Sequence, residues 1–502
     1  MRPQLNGRFI RLISLVFVIF CLGFLFKYLH NLEQKNALLK EQEAENHRLL
    51  LQKEREEEKE RRRLLEIERE EKRQKKIENN RAVLEPEITV ENTADLVEKY
   101  FIGVPTPIEP WKDETLQWIK SPLGQQTLAD LLTVPEIMPN FKTLTTQQRV
   151  FKSLFQYLDP IIAEGIIDVT QDPDYKDVWS IYSKLEQRLY PWIKPYWKNA
   201  FEINLTTKSE QGIVMCVGNG QFKYAATAVQ AIREIHGSNM PIEIFYINPS
   251  DLSKARRDYF ESFENIKTID ISKRINDDYT QFGGWAVKPY AMLASSFREV
   301  ILMDADVYMF KKPETLFEDQ GYQRTGALFF LDRTLFDNYE EGRRWLKSFL
   351  PTYSTYVEES RWWKTTSAHE QESGIVVMDK KKTFWIGYEM SQTPYAFVRS
   401  IGAVLGGLGD AGAEGTVCGN QLHLDAVDNR PWWWNGGLLR DKNRWSNRYL
   451  TFSHFAEGSD WQFETSCIKE KNKIQKLTEK EQELGNRLIE MDKERKNNTD
   501  LV

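Results

Sequence analysis

Apolar residues in this chain fall into three regimes. The first is a continuous run, Leu12 to Phe26, with Arg2, Arg8 and Arg11 before it, Lys27 closing it, and Tyr28 and Leu29 extending it. About 17–20 residues span a bilayer, so 12–29 is long enough when Arg11 and Lys27 reach the interface. No small-x-small site follows, because Phe26-Lys27-Tyr28-Leu29 is bulky, and an uncleaved signal anchor is expected. The arginines place residues 1–11 in the cytosol and the remainder in the lumen, as a single-pass type II membrane protein. The second regime, 30–85, is dense in Glu, Lys, Arg and Gln, with neither Pro nor Gly from Asn31 to Arg81. Opposite charges recur four residues apart, as in Glu57 with Arg61. A charged helical stem is expected, with coiled-coil character but no clean heptad.

The third regime begins after Pro86. From 86 to 208 a helical pattern is broken by prolines and studded with Trp111, Trp118, Trp179, Trp192 and Trp197. It reads as a helical subdomain packed on the main domain, with no chemistry of its own. From 209 to 468 the pattern changes to short apolar runs separated by glycine turns and helical stretches. Gln211 to Gln221 is a strand followed by a turn, Gly218-Asn219-Gly220. Ile242–Ile247, Ile266–Ile271, Val300–Met303, Thr325–Phe330 and Gly374–Met378 read as further buried strands. Strand, turn and helix in series predict an α/β fold with an open sheet. From Lys469 to Val502 the composition is charged and helical again, and a solvated tail is expected.

Net charge is −6, which gives no footprint for nucleic acid. Of the four cysteines, Cys418 and Cys467 are the candidate disulfide if the domain is lumenal, while Cys216 sits in a strand. Two sequons, at Asn204 and Asn497, fit a lumenal domain.

The chemistry concentrates at Asp304-Ala305-Asp306, directly after the apolar run Val300-Ile301-Leu302-Met303. Two carboxylates ending a buried strand are costly unless they serve a purpose. Their oxygens suit Mg²⁺ or Mn²⁺, which can neutralise a departing diphosphate. A strand-end turn with two solvated aspartates is the plainer reading. The strand series favours the site, because open sheets bind ligands beyond the carboxyl ends of their strands. The Gly218-Asn219-Gly220 turn could bring backbone amides to a nucleotide, although it is not a GxGxxG fingerprint.

The blocks Gly284 to Pro289, Ala294 to Asp306, Lys312 to Phe317, Tyr322 to Arg333, His369 to Gly374, Thr383 to Gly387 and Trp433 to Gly437 resemble the fungal Golgi α-mannosyltransferases that build α-1,3 and α-1,2 mannan. The resemblance covers about 210–467. It implies a GT-A-type fold, GDP-mannose as donor, a mannoside of a glycoprotein as acceptor, and Mn²⁺-dependent transfer that retains the α configuration. It implies Asp304 and Asp306 as metal ligands, with Asp304 also at the diphosphate, and Gly218, Asn219, Gly220 and Lys288 at the nucleotide. His454 is a candidate third metal ligand; its plain alternative is an ordinary hydrogen-bonded histidine. His369 and His423 are weaker candidates. Glu372 is the candidate catalytic acid, with a surface ion pair as its alternative.

The chain departs from the family at Asp379-Lys380-Lys381-Lys382-Thr383, which joins two blocks that a longer segment separates in the family. Two other functions stand beside mannosyl transfer. One is transfer from a different nucleotide sugar, because Asp-x-Asp reads the diphosphate and not the sugar. The other, because of the shortened join, is a non-catalytic partner in a complex with other mannosyltransferases.

Overall fold

The computed structural model describes residues 98–103, 141–205, 207, 209–350, 353–380, 387–388, 390, 393–410, 414–444, 447–469 and 473–497, with scattered residues before 130. The expected anchor and stem lie outside the described residues apart from Lys27 and Lys53, and so does 381–386 at the short join. Among the described residues no helix is long and apolar enough to cross a membrane.

The strands form two sheets. The larger contains β1 (Tyr100–Gly103), β2 (Ser209–Cys216), β3 (Ile242–Tyr246), β4 (Ile266–Asp270), β5 (Phe297–Met303), β7 (Ala327–Leu331), β8 (Gln371–Asp379) and β9 (Tyr395–Val398). Their order is β1-β9-β7-β8-β5-β2-β3-β4. Strands β2 to β5 are mutually parallel, and β8 runs antiparallel between β5 and β7. Sequence neighbours alternate between its two faces. Ile213, Met215, Ile301, Met303, Leu328 and Phe330 enter one core. Val214, Val300, Leu302, Ala327 and Phe329 enter the other. Burial on both faces explains why these strands read as unbroken apolar runs.

The smaller sheet is antiparallel. It contains β6 (Val307–Met309), β10 (Ala403–Leu408), β11 (Val417–Leu424), β12 (Pro431–Asn435), β13 (His454–Ala456), β14 (Cys467–Ile468) and β15 (Ile474–Lys476). Its path is β15-β13-β10-β11-β12-β6, with β14 on β11. Trp432, Trp433 and Trp434 of β12 are fully buried in the core shared with the larger sheet. Cys418 and Cys467 form the expected disulfide, across the β11–β14 pair.

In the helical layer, α1 (Phe141–Glu164) and α2 (Lys176–Leu189) pack through Leu154, Leu158, Val178, Tyr182 and Leu185. The layer rests on the main domain: Trp192 meets Tyr290 edge-on, and Arg149 Nε donates to Met390 O at 2.8 Å. Two boundaries differ from the sequence reading. Strand β1 falls inside the expected helical subdomain yet pairs with β9 at the edge of the larger sheet. The end of the chain is no solvated tail. α3 (Phe222–Glu234) carries α4 (Glu479–Asn497) on its flank, with Leu488 and Met491 buried in the main core. Asp492, also buried, accepts from Thr227 Oγ1 at 3.0 Å and from Tyr449 OH at 2.8 Å. Charge density hid a helix whose few apolar residues all point one way.

Candidate active site

Asp304 follows the last residue of β5, and its backbone N–H donates to Gly374 O of β8 at 2.8 Å. The acid is thus held at the carboxyl end of the sheet, as the strand pattern predicts. Burial raises the Asp304 carboxyl above its ordinary range; Lys288 opposes that shift and Asp306 adds to it. Lys288 Nζ lies 2.6 Å from Asp304 Oδ1 and reaches Ser373 O at 3.4 Å. Asp306 pairs with Lys442 in a short contact. Each carboxylate therefore has an ammonium partner.

A sharp turn brings the smaller sheet to this point. Gly436 and Gly437, at φ 113° and 85°, occupy backbone conformations that L side chains rarely adopt. Gly437 N–H then donates to Asp306 O at 2.8 Å. Just before the turn, Asn435 Nδ2 donates to Glu372 Oε1 at 3.0 Å. A Cβ on Gly374 would lie 2.9 Å from Asn435 Nδ2 and 3.0 Å from Glu372 Oε1, so only glycine permits this approach without adjustment.

Glu372 is not at the surface: its side chain is buried and Oε1 also accepts from Gly374 N–H at 2.7 Å. Burial, reinforced by Asp332 and Asp304, pushes its carboxyl up to about 7. Asp332 follows β7 as Asp304 follows β5. Its Oδ1 accepts from Gln421 Nε2 at 2.9 Å and from Arg333 N–H at 2.6 Å, and His369 Nδ1 lies 3.0 Å from Oδ2. Burial acts to raise the Asp332 carboxyl, but His369 and Arg333 outweigh it and hold it below the ordinary range. Beneath lies His423, wholly buried and stacked on Trp433 at 4.0 Å, with no hydrogen-bond partner for its Nδ1 among the described residues. Burial pushes its ring down to about 3, so it is neutral.

The predicted nucleotide turn is placed at the carboxyl end of β2. Asn219 acts as a latch on the next loop: its N–H donates to Asp251 O at 2.6 Å, and Oδ1 accepts from Ser253 N–H and Arg256 at 3.0 Å. A Cβ on Gly218 would meet Asp251 at 2.4 Å, whereas Gly220 faces open space. Of this turn, Gly220 is the position open to a ligand.

His454 is a correction. It starts β13, and β10, β11 and β12 stand between it and β6, which follows Asp306. Four strand spacings are on the order of 19 Å, too far for one cation. Its Nδ1 lies 3.1 Å from Ser453 Oγ, the ordinary hydrogen-bonded histidine. Among the described residues no group of three His, Cys, Asp or Glu could hold a metal. His369 and His423 belong to the Asp332 cluster and are not metal ligands with Asp304. The carboxylate pair still fits a hard cation, because Mg²⁺-like ions commonly take one or two carboxylates and complete their shell with phosphates and water.

The sequence reading passed over Asp332, Gln421 and Lys442 as site residues. Asp332 carried a signal, an acid directly after an apolar strand, as at Asp304. Lys442 carried none, being 136 residues from its partner.

Residues 210–384 match the family model described as "Mannosyltransferase putative". Over that stretch, about a third of its length, the chain is similar to this mannosyltransferase family. Alpha-1,3-mannosyltransferase MNT2 of Saccharomyces cerevisiae is 24% identical over 320 residues, 51% of this chain and 56% of that protein. Alpha-1,3-mannosyltransferase MNN1 of the same yeast is 26% identical over 169 residues, 30% of this chain and 22% of that protein. The chain thus spans well under two thirds of the length of the curated relatives it matches. Among solved structures, a galactosyltransferase LgtC complex with donor and acceptor sugar analogs aligns over 34% of this chain and 58% of that one, at 12% identity and a TM-score of 0.23, too low to carry an argument.

Proposed function

We propose that this mannosyltransferase moves mannose from GDP-mannose to a mannoside of glycoprotein glycans, retaining the α configuration and forming an α-1,3 linkage, in the Golgi lumen. The observation that carries the reading is the pairing of Asp304 and Asp306, each with its own lysine, at the carboxyl end of β5 beside buried Glu372. The names of the relatives support the sugar and the linkage.

Asp304 and Asp306 would hold Mn²⁺ or Mg²⁺, which supplies charge neutralisation for the donor diphosphate. Lys288 and Lys442 stand on the same carboxylates and are placed to take a share of the diphosphate charge. In the transfer, the bond from mannose C1 to the diphosphate oxygen breaks, and the acceptor hydroxyl oxygen bonds C1 from the same face. Its proton passes to the departing diphosphate. The protein contributes placement and electrostatics. Glu372, held by Gly374 N–H and Asn435, is rigid and poised near neutrality, suited to stabilising positive charge at the sugar when ionised.

The run at 12–29 supports a single-pass Golgi membrane anchor. The Cys418–Cys467 disulfide fits an oxidising compartment.

The test is a donor screen on the full chain in detergent, with Mn²⁺ and an α-mannoside acceptor. Transfer from GDP-mannose, lost by at least about a hundredfold in Asp304→Ala, is expected. Transfer from a different nucleotide sugar alone would replace the donor assignment. No transfer together with no binding of GDP would leave a non-catalytic partner.

A further inference from the structure

Two phenylalanines stand exposed at the mouth of the Asp332 cluster. Phe336 is 54% exposed and Phe463 is 61% exposed, with ring centroids 5.4 Å apart. Phe336 also lies 5.8 Å from the ring of His369, the partner of Asp332. Phe336 has φ 55°, a conformation costly for a bulky side chain. It is kept there because Ala368 N–H donates to Leu335 O at 2.8 Å and to Phe336 O at 3.1 Å, while Ser367 Oγ bridges Leu335 and His369. Phe463 rides a turn closed by the Gln462–Cys467 bridge and tied by the disulfide to β11, the strand that carries Gln421. Backbone strain that the surroundings enforce, at an exposed apolar side chain, points to a ligand.

The location says which ligand. Strands β5 and β7 both run antiparallel to β8, so Asp304 and Asp332 leave the same edge of the sheet. Glu372 lies between them and feels both charges. His369, beside the Phe336 ring, bonds Asp332, which in turn pairs with Arg333, so an imidazole, a carboxylate and a guanidinium adjoin in one cluster. Apolar ring faces next to such groups match a pyranose, which has an apolar C–H face and a rim of hydroxyls.

We propose that Phe336, Phe463 and His369 form an acceptor subsite for a pyranoside. The sugar's C–H face lies on the two rings, and a hydroxyl hydrogen-bonds His369 Nε2, while Nδ1 of the same ring is held by Asp332. This rests on the reading of the chain as a sugar transferase, and the subsite lies on the acceptor side of Glu372.

The experiment uses the full chain in detergent and two independent titrations. Binding of methyl α-D-mannopyranoside and of α-mannobiose is followed by saturation-transfer NMR, and binding of GDP with Mn²⁺ by calorimetry. Phe336→Ala and Phe463→Ala are each expected to weaken mannoside binding about tenfold. Phe336→Tyr should retain it, and all three variants should bind GDP as the parent does. Mannoside binding unchanged in both alanine variants, with GDP binding intact, overturns the subsite. So does a change in self-association in place of sugar binding. A parent that binds neither GDP nor mannoside overturns the transferase reading instead.

Discussion

Asn435 donates to Glu372 at 3.0 Å, and this contact joins the antiparallel sheet to the larger one across the active site. The bond keeps a buried carboxyl in place. Burial and the facing Asp332 and Asp304 push Glu372 above its ordinary range to about 7, with Arg333 opposing. An acid raised in the fold contributes stability below about pH 4.5 and loses it as pH climbs to about 7. Denaturation of the parent and of Glu372→Gln should therefore diverge across that interval, by up to roughly 3 kcal/mol in favour of the variant. A difference that stays flat from pH 4.5 to 7 would sink the assignment. Asn435→Ala, which removes one donor, should cost about 1–2 kcal/mol and slow transfer.

The Lys288–Asp304 pair is largely shielded from solvent, with side chains 10% and 22% exposed. Removing one partner leaves a charge without its counter-ion. Lys288→Met should destabilise the chain by about 3 kcal/mol, and adding Asp304→Asn should restore most of that loss. Additive losses in urea titrations of the three variants would show that the two groups do not depend on each other.

His423 is neutral in the fold, pushed from 6.5 to about 3 by burial, with Arg333 and Arg361 adding and Asp332 opposing. A group lowered in the fold contributes stability above its unfolded value and loses it as pH falls. The parent should weaken between about pH 6.5 and 3, by roughly 4 kcal/mol relative to His423→Gln. Parallel acid-unfolding curves for the two proteins would refute this.

The disulfide closes a loop of 49 residues and holds the turn that carries Phe463. Loop-closure entropy sets its contribution at about 4 kcal/mol at most. Dithiothreitol, or Cys418→Ser with Cys467→Ser, should lower Tm by several degrees. It should also weaken acceptor binding more than GDP binding; an equal effect on both would separate the turn from the acceptor side.

Local pattern alone determined much of this protein. Apolar runs marked β2, β3, β5, β7 and β8, because strands buried on both faces need apolar residues at every position. An acid pair directly after such a run marked the candidate site, since charge at a strand's end is tolerated there and not within it. Cys418 with Cys467 was legible as the pair that a lumenal domain would oxidise. Tertiary structure alone decided the rest. Strand order put three strands between His454 and β6, a separation that no spacing in the chain encodes. The Gly436-Gly437 turn, not any local preference, set Asn435 on Glu372 and left Lys442 on Asp306. The charged end of the chain read as solvated because its apolar residues are few; only its docking on α3 shows that they share one face. Periodicity reports which side of an element is apolar, and it carries no information about which distant element arrives to cover it.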